Sequence, residues 1–358
     1  MKRIILTGGG TAGHVTPNIA LIPRLQEEGY DIHYIGSYNG IEKKLMEDMK
    51  IPYHGISSGK LRRYFDIKNF SDPFRVIKGY GEAARLMKSL KPDVVFSKGG
   101  FVSVPVVIAA KNHKIPAIIH ESDMTPGLAN KICIPSAVKI CCNFPEAMAH
   151  LPKEKAVLTG TPIRQELFQG DPVEAVQFTG LSANKPTILV VGGSTGSVKV
   201  NEAVRGCLDE LLKTYQIIHL CGKDKVDPAY ENRAGYIQYE YIKKELSSLL
   251  AFADIVVSRA GANAICELQA LAKPNVLIPL GSNASRGDQI LNAESFQKQG
   301  FSHVLLEENL NNDTLLAAIS QVYENRAMYK KTMEASQMTN SIDIIIDLIN
   351  SACKSNTP

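Results

Sequence analysis

The chain has 358 residues, a formal net charge of +4, and a hydrophobic fraction of 44% against 21% charged. That length exceeds one ordinary core and predicts two domains, while the composition is that of a globular protein rather than a disordered or fibrous one. The mild charge argues against a nucleic-acid partner, and no apolar run reaches the ~18 residues that span a bilayer. Seven scattered cysteines without a C-x-x-C pair argue against a disulfide framework and for a reducing cytoplasm.

The first apolar run, RIILTG from Arg3, places a strand so early that no signal peptide is expected ahead of it. DIHYIG, DVVFSKG, PAIIHES, AVKICC and KAVLTG follow within the first 160 residues, separated by helical patterns such as Pro17–Glu28 and Val102–Lys111. Continuous Ile/Val-rich strands alternating with helices predict a parallel sheet covered on both faces. Cys141 and Cys142 fall in one such strand and read as small core residues. GTPIRQELFQGDPVEAVQF then breaks the rhythm and marks a domain junction near Thr161–Arg164. The rhythm resumes in TILVVGGSTGS, QIIHLCG, GYIQYEYI, DIVVSRAG and NVLIPLG, so the fold class is α/β, with two Rossmann-like doubly wound domains facing a cleft. The expected domains are 1–160 and 161–339, with a last helix at about 340–356 returning to the first.

Each half opens on a strand, a glycine turn and a helix. In the first, Gly8, Gly10 and Gly13 spell G-x-G-x-x-G, which lets bare N–H groups and a helix N-terminus approach an anion. A nicotinamide enzyme would also carry an acid at the end of the second strand, but Gly36, Ser37 and Tyr38 stand there. His14 follows the glycines and is expected in the first turn of the next helix, where a neutral imidazole serves either as a proton acceptor or as a cap. The second turn, Gly192 to Ser197, lacks the order of an ATPase P-loop, yet its backbone and Ser194 could hold a diphosphate. A third turn, SRAGANAICE, leads into a helix whose first turn is expected to end at Glu267. That carboxylate either accepts ribose hydroxyls or complements the helix N-terminus. No D-x-D pair and no paired histidine spacing suggest a metal site, so a bound diphosphate is expected to rely on N–H groups and hydroxyls without a cation.

TGGGTAGHVTPNIALIPRL, SKGGFVSVPVVIAA, HESDMTPGLANK, GTPIR, VVGGSTGSVKVN, SRAGANAICE and SRGDQILNA occur in this order between about residues 3 and 300. Together they resemble the MurG family, the peptidoglycan N-acetylglucosaminyltransferases of GT-B type that convert lipid I to lipid II. The resemblance implies an inverting, metal-independent transfer from UDP-N-acetylglucosamine to the 4-hydroxyl of the muramyl sugar of lipid I, an undecaprenyl-linked acceptor. It implies His14 as the general base, with Glu121 competing or assisting. For the donor it implies Ser194 at the diphosphate, Arg164 at the nucleotide end, the Ile242 backbone at uracil and Ala262, Asn263 and Ala264 at the phosphates. Glu267 would hold the ribose and Gln289 the sugar hydroxyls, with Asp288 beside it, and Thr11, Ala12 and Gly13 would complete the donor contacts. Gly10, Gly99, Gly100, Ser103 and Asp123 would meet the acceptor. Many members read H-E-x-N where this chain has Asp123, and an ionised Asp only accepts hydrogen bonds. A UDP-N-acetylglucosamine 2-epimerase of similar architecture is the alternative, and a nicotinamide oxidoreductase or a binding module without turnover are further readings.

An undecaprenyl acceptor would bring the enzyme to the cytoplasmic face of the cell membrane as a peripheral protein. The stretch Gly59–Tyr80 suits an anionic surface, with Lys60, Arg62, Arg63 and Arg75 interleaved with Phe65, Phe70 and Phe74. The same pattern also fits an amphipathic helix whose apolar face is core.

Overall fold

Strands rich in Ile, Val and Leu build two parallel sheets, as β-branched residues buried on both faces require. The computed structural model describes residues 1–59, 72–193, 195–281, 287–336 and 340–354. The chain divides into two units, one made of Met1–Arg164 with Asn340–Pro358 and the other of Gln165–Thr339.

The first unit runs β1 (Arg3–Thr7), α1 (Thr16–Glu27), β2 (Asp31–Ser37), α2 (Ile41–Asp48), β3 (Tyr53–Ile56), α3 (Asp72–Leu90), β4 (Val94–Ser97), α4 (Ser103–Asn112), β5 (Ala117–Glu121), α5 (Leu128–Cys133), β6 (Lys139–Cys142) and β7 (Ala156–Leu158). Its seven strands lie in the order β3-β2-β1-β4-β5-β6-β7, all parallel, with Ile5 of β1 opposite His33 on one side and Val95 on the other. The sheet order reverses between β1 and β4, the place where open parallel sheets offer a crevice beyond their strand C-termini. Ile4, Leu6, Tyr34 and Phe96 form the buried centre.

The second unit runs α6 (Pro172–Thr179), β8 (Thr187–Val191), α7 (Val198–Gly206), α8 (Leu208–Thr214), β9 (Gln216–Leu220), β10 (Tyr236–Tyr239), α9 (Leu246–Phe252), β11 (Ile255–Ser258), α10 (Ala262–Ala270), β12 (Asn275–Leu277), α11 (Asp288–Lys298), β13 (His303–Val304), α12 (Asn312–Glu324) and α13 (Arg326–Glu334). Its six strands lie in the order β10-β9-β8-β11-β12-β13, and the reversal falls between β8 and β11. Val190 of β8 stands opposite His219 on β9 and Val257 on β11.

The last helix, α14 (Ser341–Lys354), belongs to the first unit. Ile345, Ile346 and Ile349 bury themselves against Ile4, Leu21 and Leu25, and the Tyr30 hydroxyl donates to Asn350 Oδ1 at 2.7 Å.

Candidate active site

In the first unit the turn after β1 is braced from below. Asn18 on α1 is fully buried and its Nδ2 donates to Thr7 O at 3.1 Å, while the Tyr34 hydroxyl donates to Gly8 O at 2.8 Å. The turn lies against the one that follows β4. A side chain at Gly100 would overlap the Gly9 carbonyl, and Gly100 has φ +85°, so glycine is required there on both counts. Gly10 and Thr11 are exposed. His14 closes a short 3-10 turn, Ala12–His14, and precedes α1 instead of sitting in its first turn, because Val15 takes the N-cap. The ring lies beside Gly99: a β-carbon there would be 3.6 Å from His14 Cδ2. Its Nδ1 is 3.1 Å from Thr11 Oγ1. Burial, and next the positive charge of Lys98, lower the His14 pKa to about 4, so the imidazole is neutral near pH 7.

Lys98 and His120 form a buried pair that the motif reading did not single out. Lys98 is 1% exposed, and its Nζ donates to His120 Nδ1 at 2.9 Å and to Ser122 Oγ. His120 Nε2 donates to Gly160 O at 2.9 Å, which leaves Nδ1 as the acceptor. Burial, and then Lys98, hold His120 well below its ordinary pKa.

Two of the residues named for this unit are engaged within its own fold. The Glu121 carboxylate is only 3% exposed and accepts from Asp123 N at 2.9 Å, Gly127 N at 3.0 Å and Asn130 Nδ2 at 2.8 Å. With both oxygens engaged, Glu121 pins the loop that carries Asp123. Ser103 is fully buried and donates to Gly99 O at 2.8 Å, so it shapes the turn from beneath. Asp123 is half-buried.

An acid does reach the end of β2, although none occurs there in sequence. Glu42, the second residue of α2, is fully buried and accepts from Ser37 N at 2.9 Å and Ser37 Oγ at 2.6 Å. Its other oxygen lies 3.4 Å from Gly10 N. β-Carbons added at Gly9 or Gly36 would come within 2.5 Å and 2.7 Å of the Glu42 side chain, so the glycines form a cradle that this carboxylate fills. The space beside the turn is thus already filled by one of the protein's own carboxyl groups. The detectable signal was an acid in the first turn of the helix after Gly40.

The second unit is different. A cavity of about 810 Å³ opens at the β8–β11 reversal, walled by Gly192, Gly193 and Gly196 on one side and by Gly261, Ala264 and Gln289 on others. Ala264 and Gln289 are therefore brought together, and Gln289 Oε1 accepts from Leu280 N at 3.0 Å. Ala262, Asn263 and Asp288 lie at the starts of α10 and α11 without lining the cavity. Glu267 lies in the second turn of α10, half-buried, which corrects its expected place at the end of the first turn. Ile242 is buried before α9, and Arg164 is half-buried at the end of the first unit's long segment. Thr11, Ala12 and Gly13 belong to the first unit's turn. Ser194 lies outside the described residues, as does the side chain of Ala12.

Sequence reasoning also missed the ion pairs on this wall. Arg259, at the end of β11, is 9% exposed; its Nη2 donates to Ser197 Oγ at 2.6 Å and its Nη1 to Ile278 O at 3.1 Å. Nη1 also lies 2.5 Å from Glu307 Oε2, and Glu307 Oε1 is 2.8 Å from Lys199 Nζ. Burial works against ionisation of Glu307, but the hydrogen bonds and charges of Lys199 and Arg259 outweigh it and hold the carboxyl below its ordinary value. A chain reading cannot pair residues 48 and 108 positions apart without the sheet order that joins them.

Of the basic and aromatic stretch, Lys60, Arg62, Arg63, Phe65 and Phe70 lie outside the described residues, as does the side chain of Phe74. Arg75 is exposed at the start of α3, near Ile77, which is 67% exposed. No helix among the described residues is long and apolar enough to cross a membrane.

Residues 4–141 match the glycosyltransferase family 28 N-terminal domain, and residues 187–348 match the family 28 C-terminal domain. A protein of Lachnoclostridium phytofermentans is 68% identical over 349 residues, covering 98% of each chain; one of Lachnospira eligens is 62% identical over 354 residues, covering 99% of this chain and 100% of its own. Both bear the name UDP-N-acetylglucosamine--N-acetylmuramyl-(pentapeptide) pyrophosphoryl-undecaprenol N-acetylglucosamine transferase. The crystal structure of Acinetobacter baumannii MurG superposes with a TM-score of 0.77 at 26% identity, over 98% of this chain and 100% of that one. A UDP-GlcNAc 2-epimerase from Neisseria meningitidis superposes with a TM-score of 0.69 over 98% of this chain and 100% of that one, but at 13% identity that likeness is one of fold alone. Two family 28 domains in order on a GT-B fold, with relatives this similar from end to end, mean that the chain belongs to the MurG family of N-acetylglucosamine transferases.

Proposed function

We propose that this protein transfers N-acetylglucosamine from UDP-N-acetylglucosamine to the muramyl 4-hydroxyl of the undecaprenyl-pyrophosphoryl pentapeptide acceptor, with inversion. The observation that carries this reading is 68% identity, along 98% of the chain, to a relative named for that transfer. The cavity at the β8–β11 reversal is the proposed donor site, where N–H groups of the glycine turn, the Ser197 hydroxyl and Lys199 offer partners for a diphosphate. That donor set is rich in N–H, hydroxyl and cationic groups, so we propose that no divalent ion is required.

His14 is the proposed base. It takes the proton of the acceptor hydroxyl as that oxygen bonds to the anomeric carbon and the bond to UDP breaks, so the electron pair leaves with the diphosphate. A neutral imidazole is ready to accept at pH 7, although a pKa of about 4 makes it a weak base. An anionic acceptor bound beside the turn offsets the Lys98 charge and strengthens it. Thr11 orients the ring, and Gly10, Gly99, Gly100 and Asp123 are proposed to meet the acceptor.

The test is transfer by the purified protein from UDP-N-acetylglucosamine to a lipid I analogue, with Mg²⁺ or with EDTA. Equal turnover in both supports the reading; no transfer in either overturns it. Turnover in Mg²⁺ alone removes the metal-independent part. Epimerised sugar from the donor alone would favour the isomerase.

We further propose peripheral association with the anionic cytoplasmic membrane surface. Exposed Arg75, Ile77 and Lys78 on α3 support it, since basic residues gain about 1 kcal/mol each near such a surface. Double charge reversal, Arg75→Glu with Lys78→Glu, is expected to reduce co-sedimentation with anionic vesicles and to spare turnover on a soluble acceptor. Undiminished sedimentation would remove α3 from the contact.

A further inference from the structure

The described wall of the donor cavity carries two cations, Lys199 and Arg259, and two carboxylates, Glu307 and Glu308. A diphosphate entering such a space meets a neutral wall unless the charges rearrange. Glu307 already engages both cations, Lys199 at 2.8 Å and Arg259 at 2.5 Å. The two bonds differ in kind. Arg259 is buried and also bonds Ser197 Oγ and the Ile278 carbonyl, so it is fixed by its surroundings whatever Glu307 does. Lys199 stands on the first turn of α7 with a side chain 65% exposed, and can swing to another anion at little cost. Glu307 itself begins a short 3-10 turn, Glu307–Asn309, outside the strands.

We propose that Glu307 is a placeholder for the donor's diphosphate: it holds Lys199 while the cavity is empty, yields it when the phosphates arrive, and by competing for it speeds the release of UDP. This deepens the donor-site reading and rests on it. Glu307 is a positioning residue, acting through Lys199. The carboxylate remains ionised at neutral pH because its two partners hold it so. UDP leaves with more negative charge on its terminal phosphate than the bound donor had, so the competition acts most strongly on the product.

The proposal predicts a sign that a bracing role would not. If Glu307 merely steadied Arg259, its loss would weaken UDP binding; as a competitor, its loss tightens it. Calorimetry with UDP should give about tenfold tighter binding for Glu307→Gln than for wild type, with a steeper salt dependence. Lys199→Ala should weaken binding, and adding Glu307→Gln to it should then give little further gain. Uridine, which lacks phosphates, should bind wild type and Glu307→Gln alike. In rapid-mixing assays Glu307→Gln should keep its first turnover and lose steady-state rate. Unchanged or weaker UDP binding by a folded Glu307→Gln overturns the proposal. Wild type tests it as well: hydrogen exchange at residues 306–310 should quicken when UDP binds, and slower or unchanged exchange counts against it. Wild type that binds no UDP at all would instead remove the donor reading of the cavity, and this proposal with it.

Discussion

The two glycine turns that follow β1 and β8 share a layout and differ in what occupies the adjoining space. Beside the first, the Glu42 carboxylate fills a cradle made with Gly9 and Gly36 and lies near the Gly10 amide. Beside the second, the chain leaves about 810 Å³ open. The same order of strand, glycine turn and helix therefore does not mean the same ligand. A turn whose crevice is filled from within becomes a rigid mount for the residues that follow it, here Thr11 and His14, whereas an open turn remains a receptor for an anion.

The strongest test of this contrast is His14→Ala. If the first turn serves the reaction and the second the nucleotide, the substitution should lower transfer about 10²–10⁴-fold while calorimetry finds UDP affinity unchanged. Loss of UDP binding in step with transfer would erase the division of labour. Glu42→Ala should come next: it strands the Ser37 amide and hydroxyl and the Gly10 amide, at about 1–3 kcal/mol of stability in urea unfolding. Its acceptor KM should rise while UDP affinity holds. Full stability in that variant would mean that the cradle matters little.

The smallest expected effect is a pH displacement. His14 takes up a proton near 6.5 when unfolded but only near about 4 in the fold. The unfolded chain therefore binds more protons between these values, and stability falls as pH drops through that window. Lys98→Met removes a positive neighbour, raises the His14 pKa, and should move the acid limb of kcat/KM to higher pH. A limb that stays in place would show that Lys98 acts only through His120 and Ser122.

Much of the architecture was legible because parallel strands announce themselves as apolar runs between helices. The exceptions were short edge strands, Tyr53–Ile56 with its polar His54 and Gly55, and the two-residue His303–Val304, which carry too little hydrophobic signal. The glycine turns were legible as well, since backbone that must approach an anion or another turn tolerates little else. What filled them was not. Glu42 reaches Ser37 and Gly10 across a loop, Lys98 meets His120 only because β4 and β5 are neighbours, and Glu307 finds Arg259 from another strand's end. His14 illustrates the limit at short range: its motif was visible, but a 3-10 turn and a helical first turn differ by hydrogen-bond pattern, which residue order alone leaves open.

The chain departs from the first unit after Arg164 and rejoins it at Asn340, where α14 supplies Ile345, Ile346 and Ile349 to that unit's core. On the ribosome this reverses the usual order of completion. The body encoded second has all its residues in hand while the body encoded first still lacks a wall, and domains close as units once their parts are present. The first unit then matures after the second, waiting with an open apolar flank until the stretch of nascent chain that carries α14 emerges.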